Sequence, residues 1–316
     1  SGIGQKTIYD MPTGNSFAII QPTPDTIGSA VPFPTGTNDG GTGSIAKPFI
    51  IADTEVPYSL WGMVYAWARQ NGYSFGYDGS NGSSGYGNLN QPVTGITWRD
   101  AMVWCNALTE YYNSKNGASA DLTPVYYVDS SYATPIRTST AVTTYMGGTS
   151  GSQDCPYILS GAGGNTAMAN CTATGFRLPT AYEWEYSARY IGTTAPANTN
   201  VVLAGGTYYT NGASAAGGLN KANDQPATTL VAVYSVNSGG TTSPVGLKNA
   251  TTLGLLDMSG NVQEYCFEWS NQSQHKRFVY GGMYNQSYAY IELSVMDGFI
   301  CYNISPGTGF RPARNR

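Results

Sequence analysis

Apolar residues recur every three to four positions in three segments of the chain, and this spacing predicts three α-helices. The first covers residues 56–70 and has Pro57 near its start. The second runs from Trp98 to about Tyr111, where Thr97 and Asp100 have the spacing of a capping box. The positions predicted to face the core are Leu60, Val64 and Trp67 in the first helix and Met102, Cys105 and Leu108 in the second.

The third helix follows Leu178, because Thr180 can cap its first turn and Glu183 can return the hydrogen bond. Its buried side is predicted to consist of Trp184, Tyr186 and Ala188. Short apolar runs between Gly, Pro and Thr clusters predict strands at Phe17–Ile20, Phe49–Ala52 and Val125–Val128.

Three long stretches show little periodicity and are rich in Gly, Ser, Thr and Asn: residues 71–91, 113–174 and 192–249. This composition predicts loop insertions rather than separate units. No sharp change in composition marks a linker, and no segment repeats. We therefore predict one domain over residues 1–316.

The last part of the chain contains a segment, residues 283–308, that lies between Gly281-Gly282 and Gly309-Phe310-Arg311 and contains no Lys, Arg or His. It combines Tyr with Ser, Asn and Gly, as antibody paratopes do. Alternation of Ile291, Leu293 and Val295 with polar neighbours predicts a strand with one face inward. The outward side chains predict a ligand-binding face of Tyr284, Asn285, Gln286, Ser287, Tyr288, Tyr290, Glu292, Met296, Asp297, Phe299, Tyr302 and Asn303. The flanking residues should be buried or hydrogen-bonded.

Charge and composition narrow the classes of partner. Only 11% of the residues are charged, and the net charge is −4, whereas a nucleic-acid partner needs a basic stripe. No run approaches the roughly 18 apolar residues of a membrane span. The low Lys content and the abundance of Gly, Ser, Thr and Tyr are typical of an exported protein. The absence of an initial Met fits a removed signal or anchor segment.

Histidine and cysteine usage excludes several kinds of site. His275 is the single histidine and there is no G-x-S-x-G motif, which argues against a Ser-His-Asp hydrolase. The five cysteines form no C-x-x-C pair, so structural zinc is not expected. Cys155 and Cys171 bracket a Gly-rich loop and are the predicted disulfide pair, whereas Cys105 should be a free thiol.

Four segments in order resemble the formylglycine-generating-enzyme-like (sulfatase-modifying factor) family: residues 49–56, 92–101, 175–186 and 253–265. The most specific of them read Gly175-Phe-Arg-Leu-Pro-Thr-Ala-Tyr-Glu-Trp-Glu-Tyr186 and Leu253-Gly-Leu-Leu-Asp-Met-Ser-Gly-Asn-Val-Gln-Glu-Tyr265. The resemblance implies an α+β, C-type lectin fold of the formylglycine-generating-enzyme-like variant, with few helices, short antiparallel strands and many loops. It also implies a structural calcium ion, with carboxylates from Asp257 and Glu264 and carbonyl oxygens from Gly260 and Val262. No other cofactor is expected.

The chain differs from the family at the metal-binding residues on which the family's catalysis depends. Formylglycine-generating enzymes bind copper through two cysteines after the Gly-Gly frame, but residues 283–300 contain none and Cys301 is alone. Copper(I) therefore lacks its thiolate pair. The sulfoxide-synthase branch of the family needs a cluster of histidines, which a single His275 cannot supply. We therefore predict that the protein is not an enzyme.

The position and length of the segment 283–308 resemble the variable proteins of diversity-generating retroelements, whose C-terminal segments are diversified and displayed for ligand binding. This resemblance predicts a monomeric display protein at a bacterial cell surface, with an unknown protein or glycan as its ligand. A lipid anchor on a removed N-terminal segment is one way to hold it there. The alternatives are a lectin-like domain with a fixed ligand and, less favoured, a copper-dependent formylglycine-generating oxidase.

Overall fold

A computed structural model describes residues 5–6, 17–20, 33–36, 38–45, 47–116, 121–147, 150–160, 167–197 and 199–316. Parts of the predicted insertions 113–174 and 192–249 lie outside these residues. The α-helices in the described part are α1 (Tyr58–Gln70), α2 (Trp98–Asn116), α3 (Ala181–Arg189) and α4 (Gln225–Thr228). None of these helices has the length and apolarity needed to cross a membrane.

The strands are short and pair mainly in antiparallel fashion. One sheet has the order β1 (Gln5–Lys6), β2 (Phe17–Ile20), β5 (Phe49–Ala52), β18 (Ala313–Asn315) and β10 (Phe176–Arg177). A second has the order β16 (Asp297–Ile300), β15 (Lys276–Tyr280), β14 (Gln263–Asn271) and β17 (Thr308–Gly309), in which only β14 and β17 are parallel. A third has the order β11 (Tyr190–Gly192), β13 (Thr207–Thr210) and β12 (Val201–Ala204). The remaining pairs are β3 (Phe33–Thr35) with β4 (Gly41–Gly43), β6 (Ser80–Asn81) with β7 (Val93–Thr94), and β8 (Tyr126–Tyr127) with β9 (Tyr157–Ile158).

Both predicted capping boxes are present. At α2, the Thr97 amide donates to the Asp100 carboxylate at 2.9 Å, and the Asp100 amide donates to the Thr97 hydroxyl at 3.1 Å. At α3, the Glu183 amide donates to the Thr180 hydroxyl at 3.0 Å, and the Thr180 amide donates to the Glu183 carboxylate at 2.8 Å. These bonds satisfy amide groups that have no partner within the helix. Because the bonding residues are close in sequence, both helix starts could be predicted.

The core between α1 and α2 is built on stacked aromatic rings. The Trp61 and Trp104 rings lie 5.7 Å apart and nearly parallel, and Phe310 meets the edge of both. The buried side of α1 includes Trp61 and Ala68 beside the predicted Leu60 and Val64, whereas Trp67 is only partly buried. The predicted core positions of α2 and α3 are all buried: Met102, Cys105, Leu108, Trp184, Tyr186 and Ala188.

The predicted strand through Ile291, Leu293 and Val295 is wrong. Residues 288–290 form a 3-10 turn, residues 291–296 are irregular, and the strand of this region is β16, farther along the chain. Ile291 and Leu293 are buried as predicted, but Val295 is half-buried and Ser294, expected outward, is buried. The reason is tertiary: the amides of Leu293 and Ser294 donate to the carbonyls of Ser214 and Gly212, which fixes the backbone here.

The predicted Cys155–Cys171 disulfide is not formed. All five cysteines are free thiols, and Cys155 is half-buried while the other four are buried. The backbone of Cys155 pairs with Ser152, and that of Cys171 pairs with Ser160. The two side chains therefore have different neighbours: the Cys155 sulfur lies 3.5 Å from the Tyr145 hydroxyl, and the Cys171 sulfur lies 4.0 Å from the Ala173 carbonyl oxygen.

Candidate ligand-binding face

The segment 283–308 begins at a turn that glycine suits better than any other residue. After β15, Gly281 and Gly282 have φ angles of +91° and +70°, a region that side chains with a Cβ rarely adopt. A Cβ on Gly282 would also collide with the carbonyl oxygen of Tyr290. The start of the segment is therefore folded tightly against its own middle.

The segment ends at residues that are fixed in the core. Phe310 is fully buried and packs edge-to-face against the stacked rings of Trp61 and Trp104. The Arg311 guanidinium donates to both carboxylate oxygens of Glu264 at 2.6 Å. All the flanking residues predicted to be buried are buried, namely Gly281, Gly282, Gly309, Phe310 and Arg311.

Between these ends, most of the predicted face residues reach solvent. The exposed ones are Asn285, Ser287, Tyr288, Tyr290, Met296, Asp297 and Asn303, and the half-buried ones are Gln286, Glu292, Phe299 and Tyr302. Tyr288 and Tyr290 are 38% and 53% exposed, but Tyr284 is only 7% exposed. The expectation that Tyr284 points outward is therefore wrong. Its amide donates to the Asn261 carbonyl, which holds this residue against the 257–264 turn.

The first half of the segment rests on the 192–249 insertion. The Ile291 side chain belongs to a small apolar cluster with Ala215, Val231, Ala232 and Tyr234. The Ser235 amide donates to the Gln286 carbonyl, and the Gln286 side chain accepts from the Met283 amide at 2.8 Å. Gln286 is therefore engaged in holding the turn.

The insertion also places the exposed Val236 next to Ser235, beside the segment. Sequence reasoning missed Val236 because the insertion shows no periodicity.

The second half of the segment adjoins a cluster of aromatic rings. Phe299 of β16 packs on Tyr265 with ring centroids 6.2 Å apart. The Tyr302 hydroxyl lies 3.4 Å from Nδ1 of His275, whose ring stacks on Tyr145 at 4.2 Å. No local pattern singled out Tyr145, because it comes from a distant stretch of irregular chain.

One carboxyl group of the face is electrostatically perturbed. Burial raises the pKa of Glu292, and the nearby Lys221 of the insertion opposes that shift. Lys221 is exposed and supplies a positive charge near a segment that contains none of its own.

Residues 32–316 match the sulfatase-modifying factor enzyme 1-like domain family. The chain belongs to this family. Its fold is similar to that of Treponema denticola variable protein 1, with a TM-score of 0.62 and 22% identity over 99% of each chain. It is also similar to the crystal structure of CarF, with a TM-score of 0.60 and 24% identity over 91% of this chain and 94% of the other. The predicted α+β, C-type lectin fold of the formylglycine-generating-enzyme-like variant is confirmed.

A curated relative is the Paenibacillus barcinonensis protein named Chaperone protein LppX. It is 28% identical over 238 residues, which cover 74% of this chain and 73% of that protein.

The two carboxylates expected to bind the calcium ion implied by the family resemblance already accept hydrogen bonds within the protein. Both oxygens of Glu264 accept from Arg311, and one also accepts from the Trp184 indole at 2.7 Å. Asp257 accepts from the Gly246 amide at 2.6 Å, and burial raises its pKa to about 6. The Val262 amide donates to Glu55, a buried carboxylate that sequence reasoning did not consider. The protein itself thus supplies hydrogen-bond donors to both carboxylates of this turn.

The single cysteine of the segment 283–308 is buried and hydrogen-bonded. Cys301 is fully buried, and its sulfur donates to the Asp154 carboxylate at 3.4 Å. Burial raises the pKa of Cys301 to about 12, so the thiolate that binds a soft metal is disfavoured. Among the residues that the structure describes, no three His, Cys, Asp or Glu side chains form a group that could hold a metal ion.

Proposed function

We propose that this protein is a non-catalytic binding protein that displays the exposed side chains of residues 283–308 as a diversified ligand-binding face. One observation carries the proposal: exposed Tyr, Asn, Ser, Met and Asp side chains project from a segment whose two ends are buried in the core. The fold similarity to Treponema denticola variable protein 1 over nearly the whole of both chains supports it.

The arrangement separates binding from folding. Substitutions of exposed side chains usually change stability by less than about 0.5 kcal/mol, so the seven exposed positions can vary without loss of the fold. Tyr rings supply contact area at a low cost in conformational entropy, and Asn and Ser supply adaptable hydrogen bonds. Ile291 and Leu293 hold the backbone in place beneath them.

The ligand that we propose is a protein or a glycan. The relative LppX is named a chaperone protein. Because a chaperone acts on other proteins, this name supports a protein as the ligand. The composition supports an exported protein at the cell surface. A lectin-like domain with a fixed ligand is the second candidate, because the same exposed aromatic side chains would serve it equally well.

A display library tests whether the face can vary and bind. We would randomise the codons of the seven exposed positions, display the variants on yeast and select against hen egg lysozyme as a defined protein probe. A control library would randomise buried positions of the same segment, Tyr284, Ile291, Leu293 and Cys301. We expect binders and normal display levels from the first library and loss of folded protein from the second. Equal loss of folding in both libraries contradicts the proposal.

Sequencing of the native locus separates a diversified face from a fixed one. If the face is diversified, a near-identical copy of the segment should lie beside a reverse transcriptase gene and differ from it at adenines. The differences should fall on codons of exposed residues such as Asn285, Tyr288 and Tyr290. An invariant segment with no such copy supports the fixed-ligand candidate instead.

A further inference from the structure

A cavity lies outside the proposed binding face. It is a cleft of about 560 Å³ beside the end of β14, and Phe267, Glu268, Trp269 and Arg277 line it. None of the predicted face residues contributes to its lining. Its volume lies within the range of ordinary small-molecule sites.

Arg277 is the unusual residue of this cleft. It is 2% exposed, and its guanidinium lies between the indole rings of Trp98 and Trp269, at 3.7 Å and 3.5 Å from their centroids. It donates to the carbonyl oxygens of Phe267 and Asp154, but its Nε has no hydrogen-bond partner. Burial lowers the pKa of Arg277 to about 10, so the group remains a cation at neutral pH.

The other fully buried arginines all have a carboxylate partner. The pairs are Arg99 with Asp154, Arg177 with Glu183, Arg189 with Asp39 and Glu185, and Arg311 with Glu264. No such ion pair is formed by Arg277 within the described part of the chain. A buried charge is costly unless it is paired. Among the described residues, Arg277 is the one buried arginine without an ion-pair partner.

The groups around Arg277 do not supply that counter-ion. Asp154 already pairs with Arg99 through both of its oxygens. Glu268 lines the cleft but accepts from the Ala181 amide at 2.9 Å, and burial raises its pKa to about 7. Near neutral pH a large fraction of Glu268 is therefore protonated and uncharged.

We propose that this cleft binds a small organic carboxylate with a flat apolar body, which supplies the missing counter-ion of Arg277. Its carboxylate faces the Arg277 guanidinium, and its body lies against Phe267, Trp269 and Met168. Charge-assisted hydrogen bonds between guanidinium and carboxylate are among the strongest in proteins, and they favour this class of ligand over a neutral one. The site is independent of the proposed binding face.

Benzoate and benzamide are matched probes for this proposal, because they share shape and differ in charge. Ligand-observed NMR titrations of the whole protein would measure both affinities. We expect benzoate to bind at least about tenfold more tightly than benzamide. Equal affinity, or no detectable binding of benzoate, overturns the proposal.

Cys155 allows the site to be located. It lines the cleft and is half-buried, while the other four cysteines are buried. Alkylation of Cys155 with N-ethylmaleimide should weaken benzoate binding at least about tenfold, whereas Cys155→Ser should leave it unchanged. Ala169→Trp, at an exposed position of the lining, should weaken it similarly without disturbing the core. Tyr288→Ala with Tyr290→Ala should have no effect, which separates this site from the binding face. Benzoate binding that survives both blocking changes contradicts the assignment.

Discussion

At the scale of single residues, exposure and burial change within a few positions of the 283–308 segment. Tyr284 is 7% exposed, whereas Tyr288 and Tyr290 are exposed, although all three belong to one aromatic, polar stretch. Phe299 is half-buried and packs against Tyr265. Aromatic residues of this segment thus serve either the fold or the surface, and the residue type alone does not distinguish them.

Truncation of Phe310 and of the exposed tyrosines should have opposite consequences. Phe310→Ala removes a fully buried ring that packs edge-to-face against two tryptophans, and we expect a loss of about 3–5 kcal/mol in the free energy of unfolding. Tyr288→Ala and Tyr290→Ala should each change it by less than about 0.5 kcal/mol. Urea unfolding measures all three variants. A large loss from the tyrosine variants would assign these rings to the core.

The Glu264–Arg311 pair should contribute strongly because it is buried. Glu264→Gln leaves the Arg311 charge without its partner, and we expect destabilisation by about 3–5 kcal/mol. The matched control is Glu110→Gln, because Glu110 pairs with the more exposed Arg137 at 2.7 Å and should contribute less than about 1 kcal/mol. Similar losses for both variants in chemical denaturation would disprove a special role for the buried pair.

At the scale of elements, the free amide groups at the start of α3 are hydrogen-bonded partly by neighbouring residues and partly by a residue distant in sequence. Thr180 and Glu183 satisfy two amide groups from within the sequence motif, and Glu268 of β14 accepts from the Ala181 amide. The motif made the helix start predictable. The contribution of Glu268 depends on how β14 packs beside the helix.

Glu268 should make stability fall as pH rises. Its pKa in the folded protein is about 7, above the ordinary value of 4.5, so the folded state binds more protons than the unfolded state between these values. Stability from this group is complete below about pH 4.5 and decreases through about pH 7, by up to about 3 kcal/mol. Glu268→Gln should remove this component. Melting temperatures of both proteins measured from pH 4.5 to 7.5 check it, and parallel profiles would contradict it.

At the scale of the whole molecule, the fold of an enzyme family carries a segment without that family's cysteine pair. The strand β18 at the end of the chain lies between β5 and β10, and Arg311 joins Glu264 to the backbone of Ala52. These contacts hold the ends of the segment 283–308 in place, while the segment itself lacks cysteine before Cys301. The residues that fix the ends of the segment are therefore different from the residues that distinguish this segment from that of the enzymes.

We expect no formylglycine from this protein when it is given copper, oxygen and a Cys-x-Pro-x-Arg peptide. Cys301 is a buried thiol with a raised pKa, and no second cysteine lies beside it in the segment. Mass spectrometry of the peptide would detect conversion of its thiol to an aldehyde. The variant Cys301→Ser should give the same negative result, and aldehyde formation by the unmodified protein would contradict the non-catalytic function.

Features that depend on neighbours in sequence could be predicted from the sequence alone. The starts of α2 and α3 follow from capping motifs a few residues long. The residue counts also excluded histidine clusters and a thiolate pair in the segment. Such features need no knowledge of distant contacts, because the groups that satisfy each other are adjacent in the chain.

Only the tertiary structure decided which side chains of the segment face solvent and what lies beside them. Ser294 is buried because its amide meets the Gly212 carbonyl, and Gln286 is held because its carbonyl meets the Ser235 amide. The cleft depends on Arg277 reaching the Asp154 carbonyl, far away in sequence. These partners lie in the irregular insertions. The sequences of the insertions have no hydrophobic periodicity from which their conformations could be predicted. Burial and pairing at such positions depend on contacts between distant parts of the chain, which local patterns do not encode.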